Sequence, residues 1–131
     1  MSIALFFITH EGIASNLLTI GEAIIQKTNN NLSYFEIPMD ANNHLMIEGI
    51  EKKLDQLDIE DGLLFITDIY GSTPSNIAQQ MAIKHHTDLI SGVNLPMIIR
   101  LLNYRDENTG SLIQKALDGA KKGIQHNTHM T

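Results

Sequence analysis

The chain has no cysteine among its 131 residues. That absence excludes disulfides, thiolate metal sites and cysteine nucleophiles, and it fits a reducing cytoplasm. It also has no basic excess: 9 Lys and Arg stand against 15 Asp and Glu, for a net charge of -6. Neutralising a phosphate backbone needs clustered cations, so a general nucleic-acid binder is excluded. A basic protein partner remains compatible with that balance. No apolar run is long enough for a membrane span; the longest, Ile3–Ile8, is strand-sized. No basic segment followed by an apolar stretch marks a secretory signal at the start. Repeats, low-complexity tracts and linkers are missing, so residues 1–131 are expected to form one domain around one core.

What is present is a regular alternation. Ile3–Ile8 (IALFFI) is continuously apolar, as in a strand buried on both faces. Thr9-His10-Glu11-Gly12 reads as a short loop. From Ile13 the spacing turns helical, with Ile13, Leu17, Ile20 and Ile24 expected to face inward. The asparagines of Thr28–Asn31 close that helix. Ser33–Ile37 reads as a second strand, His44–Leu57 as an amphipathic helix and Leu63–Thr67 as a third strand. A helix runs from Pro74, and Asp88–Gly92 reads as a fourth strand. Further helices follow from Pro96 and over Ser111–Lys122. The tail from Gly123 is polar apart from Ile124, and is expected either to form a short strand or to be disordered, with disorder over 126–131. Strands alternating with helices at these lengths predict an α/β fold: an open, doubly wound, mostly parallel sheet.

Such sheets bind ligands beyond the carboxyl ends of their strands, where the strand order reverses. With the order 2-1-3-4, that point lies between the first and third strands. His10 follows the first and Asp68 ends the third, so the order would make them neighbours. A carboxylate on one imidazole nitrogen fixes the tautomer, leaves a lone pair on the other nitrogen and stabilises the cationic ring. That combination suits an acceptor of a phosphoryl group. Gly71, Ser72 and Thr73 precede Pro74 at a helix start, where free N–H groups and the helix dipole attract a dianion. Taken singly, each residue also fits a loop or capping role; their convergence on two adjacent loops is what favours chemistry. Asn94 and Pro96 shape the loop after the fourth strand and are candidates for a partner surface. His44, His85 and His86 read as structural or solvated. His126 and His129 would hold a metal only in an ordered tail.

On these residues the chain resembles the mannose-type IIA domain of the bacterial phosphoenolpyruvate-dependent sugar phosphotransferase system. The motifs are ITHEGI after the first strand, GLLFITDIYGSTPSNIA through the third strand and its helix, and ISGVNLPMIIRLLNYR further on. Together they extend the likeness over almost the whole length. The resemblance implies a cytoplasmic phosphoryl carrier with no cofactor or metal. His10 would be phosphorylated at Nε2 by the small carrier protein HPr, Asp68 would partner the ring, and Gly71, Ser72 and Thr73 would surround the phosphate. The phosphate would then pass to a IIB component or serve as a regulatory signal. It further implies a homodimer that exchanges a short fifth strand near Gly123–His126, and membrane association only through a permease partner. One departure is visible: transporting members read Thr-His-Gly, whereas here Glu11 follows His10 and the glycine comes one place later. The later motifs are nearer to the branch found in incomplete, regulatory systems. Two other readings of the residues are a receiver-like module phosphorylated at Asp68 and a ligand-sensing interaction module. Against the receiver, Thr9 and His10 occupy the place where an acidic metal-binding pair would stand.

Overall fold

The computed structural model describes residues 2–129. Its nine elements are β1 (Ala4–His10), α1 (Ile13–Ile25), β2 (Leu32–Ile37), α2 (Asn43–Leu54), β3 (Leu63–Thr67), α3 (Thr73–Lys84), β4 (Asp88–Ile90), α4 (Leu95–Asn103) and α5 (Thr109–Lys122). The four strands form one parallel sheet in the order β2-β1-β3-β4. β1 and β3 are therefore adjacent, with Ile8 opposite Thr67, while β2 pairs on the other side of β1 and sets Ile37 opposite His10.

Helices cover both faces, which is why β1 and β3 are apolar without alternation. Leu5 and Phe7 point to one face, where they meet Ala14 and Leu18 of α1, Met97, Ile98 and Leu101 of α4, and Leu112 and Ala116 of α5. Ala4, Phe6 and Ile8 point to the other, against Ile50 and Leu54 of α2 and Ile77, Ala78 and Met81 of α3. All five residues from Ala4 to Ile8 are fully buried.

The inward face of α1 differs from the expected one. Ala14, Leu18 and Gly21 are buried, Leu17 is half-buried, and Ile13, Ile20 and Ile24 are 38%, 47% and 54% exposed. The reason is closeness to α4. A Cβ added to Gly21 would sit 2.5 Å from Ile98 Cγ2, so only small residues allow this approach. The larger isoleucines, at the same helical spacing, are turned outward.

Three boundaries also shift. Thr9 and His10 lie within β1, paired to β2, rather than in a loop. The fourth strand ends at Ile90, because Gly92 adopts φ +84° and turns its N–H to the Asp68 carbonyl. The last helix begins at Thr109, where the Asn108 side chain accepts from the Ser111 N–H and caps it. Beyond Gly123, residues 124–129 form no strand, so the expected fifth strand does not form within a single chain. Met130 and Thr131, part of the expected disordered tail, lie outside the described residues.

A buried cation ties the amino-terminal edge of the sheet together. Arg105, 6% exposed, donates to the carbonyls of Ile3 (2.8 Å), Asn31 (2.7 Å) and Asn30. Burial lowers its pKa from the ordinary arginine value. Nothing in the sequence around it singles this arginine out.

Candidate functional site

The site lies at the carboxyl ends of β1 and β3. β1 ends in a threonine and a histidine facing opposite sides of the sheet. Thr9 is fully buried; its hydroxyl donates to the His10 carbonyl (2.9 Å) and accepts from the Ala14 N–H (3.1 Å). That contact fixes the start of α1 to the strand end. Gly12, at φ 86°, makes the turn between them and offers no side-chain cap.

Asp68 is the first residue after β3 and is 9% exposed. Its Oδ2 accepts from the His10 backbone N–H (2.9 Å) and lies 2.8 Å from His10 Nδ1. Its Oδ1 accepts from the Ile69 N–H (2.8 Å). A carboxylate can only accept, so Nδ1 carries the proton and the neutral ring keeps its lone pair on Nε2. The imidazole remains 30% accessible. Burial by itself would raise the Asp68 pKa. The His10 amide, the His10 ring and the Ile69 amide outweigh it and hold the carboxyl below its ordinary value. The acid is therefore ionised at neutral pH.

The loop from Asp68 leads directly into α3. Gly71, at φ +88°, has open space around its Cα. Its N–H donates to Ser75 Oγ (3.2 Å). Ser72 is the N-cap: its hydroxyl donates to the Ile69 carbonyl (2.7 Å) and accepts from the Ser75 N–H (3.4 Å), and its own N–H donates to the Ile69 carbonyl (3.2 Å). Thr73 is exposed at the first helical position, and Pro74 follows without an N–H. Among the described residues, Thr73 therefore provides the first-turn amide that has no internal acceptor. The set of free donors is narrower than the sequence suggests, since Gly71 and Ser72 spend theirs on the turn.

The other candidates lie elsewhere or act structurally. Asn94 caps α4 through the Met97 N–H (3.0 Å) and donates to the Ala120 carbonyl (3.2 Å). His85 caps α3 and its Nε2 lies 2.9 Å from Glu51 Oε1. His44 and His86 are exposed, as are His126 and His129. One residue near the site escaped the sequence reading. Glu36, on β2 opposite Thr9, accepts from both the N–H and the hydroxyl of Ser15 in α1 (2.9 and 2.7 Å). Its only signal was to be the one acid in a strand that is otherwise apolar or neutral.

A four-stranded parallel sheet in this order, with an imidazole–carboxylate pair where the order reverses, defines the class: a doubly wound α/β domain with a histidine at its switch point. Comparison with known proteins then fixes the family. The family model EIIA-man, described as PTS system fructose IIA component, matches residues 4–117. The mannose-specific EIIAB component of Escherichia coli strain K12 is 30% identical over 128 residues, which is 95% of this chain and 39% of that protein. Among solved structures, the mannose/sorbose-specific IIA subunit from Enterococcus faecalis superposes with a TM-score of 0.84 at 17% identity, covering 100% of this chain and 98% of that one. The phosphotransferase component EIIA from Streptococcus agalactiae superposes with a TM-score of 0.80 at 19% identity, covering 95% and 96%. These two likenesses establish the fold. The chain belongs to the mannose-type EIIA family of the phosphotransferase system, and its role is that family's role of IIA phosphoryl carrier. It spans 39% of the length of the E. coli relative.

Proposed function

We propose that His10 is the residue that carries the phosphate. In this reading His10 Nε2 attacks the phosphorus of a phosphohistidine on HPr. The new N–P bond forms at Nε2 as the P–N bond to the donor imidazole breaks, and the donor ring leaves. His10 keeps its Nδ1 proton throughout, and the positive charge it gains on attack is stabilised by Asp68. The supporting observation is the single Asp68 oxygen that accepts from both the His10 main chain and Nδ1, at 2.9 and 2.8 Å. It fixes ring orientation and tautomer before a donor arrives. The Thr73 amide and the N-terminal end of α3 attract the transferred dianion, Gly71 leaves room for it, and Ser72 holds the turn. The phosphate then passes to a IIB component or persists as a regulatory signal, and the reaction is cytoplasmic. Among the described residues no helix is long and apolar enough to cross a membrane.

The chain acts as a homodimer in the same reading. Among the described residues one edge of β4 is unpaired, and Ile124, which follows α5, is 75% exposed. Gly123–His126 of a second copy would pair with that edge. Incubation with phosphoenolpyruvate, enzyme I and HPr tests the carrier reading. Wild type is expected to take one alkali-stable phosphate and His10→Ala none. Equal labelling of the two proteins, or alkali-labile label, would refute it.

A further inference from the structure

α1 starts three residues after His10, and its amino-terminal amides are a second potential seat for an anion. The chain's own groups take two of those amides. Ala14 donates to Thr9, and Ser15 donates to Glu36 through both its N–H and its hydroxyl. Gly12 gives the helix no side-chain cap, so Glu36 supplies one from the neighbouring strand. Burial would raise the Glu36 pKa, yet the Ser15 and Gly12 donors and the Lys53 charge together keep it below its ordinary value. It therefore stands ionised at neutral pH.

Two consequences follow from that position. Glu36 fastens the far side of the Glu11–Gly12 turn, through the N–H and hydroxyl of Ser15. That turn is how the chain leaves His10, so its path helps to set the backbone from which the ring projects. Glu36 also neutralises the positive end of α1. Of the helix starts that follow β1 and β3, that of α1 thus carries a carboxylate on its first turn, and that of α3 is capped by the neutral Ser72 hydroxyl.

We propose that Glu36 is a positioning residue for phosphoryl transfer at His10, acting through the α1 start, which it anchors and whose positive end it neutralises. The proposal rests on the carrier reading above. Its test is the steady-state rate of phosphate uptake from phospho-HPr by wild type, Glu36→Ala, Glu36→Gln and Ser15→Ala. Displacing a reacting group by a fraction of an ångström costs rate rather than affinity. Glu36→Ala should therefore lower kcat roughly tenfold with little change in KM for the donor. Glu36→Gln keeps an acceptor oxygen for Ser15 and should recover most of kcat. Ser15→Ala, which loses only the hydroxyl bond and keeps the helix amide, should show a smaller drop and stands in if Glu36→Ala does not fold. Added inorganic phosphate should inhibit Glu36→Ala more strongly than wild type, because the Ser15 amide becomes free and the positive end of α1 loses its carboxylate. A purely structural role would lower the melting temperature and leave kcat, KM and phosphate inhibition unchanged in the folded variants; that result would overturn the proposal. Failure of Glu36→Gln to rescue would overturn the anchoring role as well. Wild type that takes no phosphate would instead remove the carrier reading, and this role with it.

Discussion

Replacing Asp68 by asparagine probes the site with almost no change in shape. The carboxylate has two jobs on two oxygens: Oδ2 accepts from His10 N–H and Nδ1, and Oδ1 accepts from Ile69 N–H. Asparagine has one oxygen. If it faces His10, the amide NH2 meets the Ile69 N–H and one donor–donor contact replaces a hydrogen bond. If it faces Ile69, the NH2 meets Nδ1, which can then only accept, so the proton moves to Nε2 and the lone pair points away from the donor. Even with the first orientation, the bond to the charged ring becomes a neutral one. A hydrogen bond to a charged group contributes about 1.5 to 3 kcal/mol, and losing it in the transition state slows the reaction by roughly 10- to 150-fold. Where the wrong tautomer is trapped, the loss reaches about 10,000-fold, as in serine-protease triads. Quenched-flow measurement of uptake from labelled phospho-HPr should thus show a drop of at least about tenfold. Circular dichroism should show a native fold. Uptake at the wild-type rate by a folded Asp68→Asn protein would refute the reasoning.

Other outcomes follow from packing and charge. Gly21→Ala puts a methyl 2.5 Å from the buried, β-branched Ile98, and should destabilise by about 1 to 2 kcal/mol despite the better helix propensity of alanine. Gly119→Ala puts a methyl 2.3 Å from Arg100 Cγ, close to the root of that side chain, and 3.3 and 3.2 Å from its Cδ and Nε, so the whole arginine must move off α5. It should destabilise as well, by about 1 to 2 kcal/mol in thermal melts. Arg105→Met strands three carbonyls and should cost about 3 kcal/mol by urea unfolding, and lysine, lacking the planar fork, should not rescue it. Glu36, Glu51 and Asp68 all have lowered folded pKa values: burial raises each, but Ser15 and Gly12, His85 and Lys84, and His10 respectively outweigh it. Their stabilisation is complete above the unfolded carboxylate value and is lost as pH falls through the folded ones. The urea midpoint should therefore hold from neutral pH to about 5 and fall below about 4.

Much of this architecture was readable from the residues because the central strands leave little choice. IALFFI and LLFIT are apolar on both sides, which calls for a parallel sheet under two helix layers. That sheet in turn makes His10 and Asp68 neighbours across 58 positions of sequence. What could not be read depends on close approach and on partners from distant segments. The inward face of α1 was set by Ala14 and Gly21, residues whose value lies in being small, and apolar spacing gives weight to large ones. Glu36 and Arg105 act through contacts that the chain order does not announce: one caps a helix from a neighbouring strand, and the other reaches carbonyls 74 to 102 residues away. The supposed wealth of free amides at α3 was overstated because loop hydrogen bonds are not visible in a sequence.

The position of the phosphate on the protein tests the central claim most directly. Phosphorus–nitrogen coupling in protein labelled at the histidine imidazoles should place the bond at Nε2 of His10, with Nδ1 still protonated and bonded to Asp68. A phosphate found on Nδ1, or on any residue other than His10, would contradict the account.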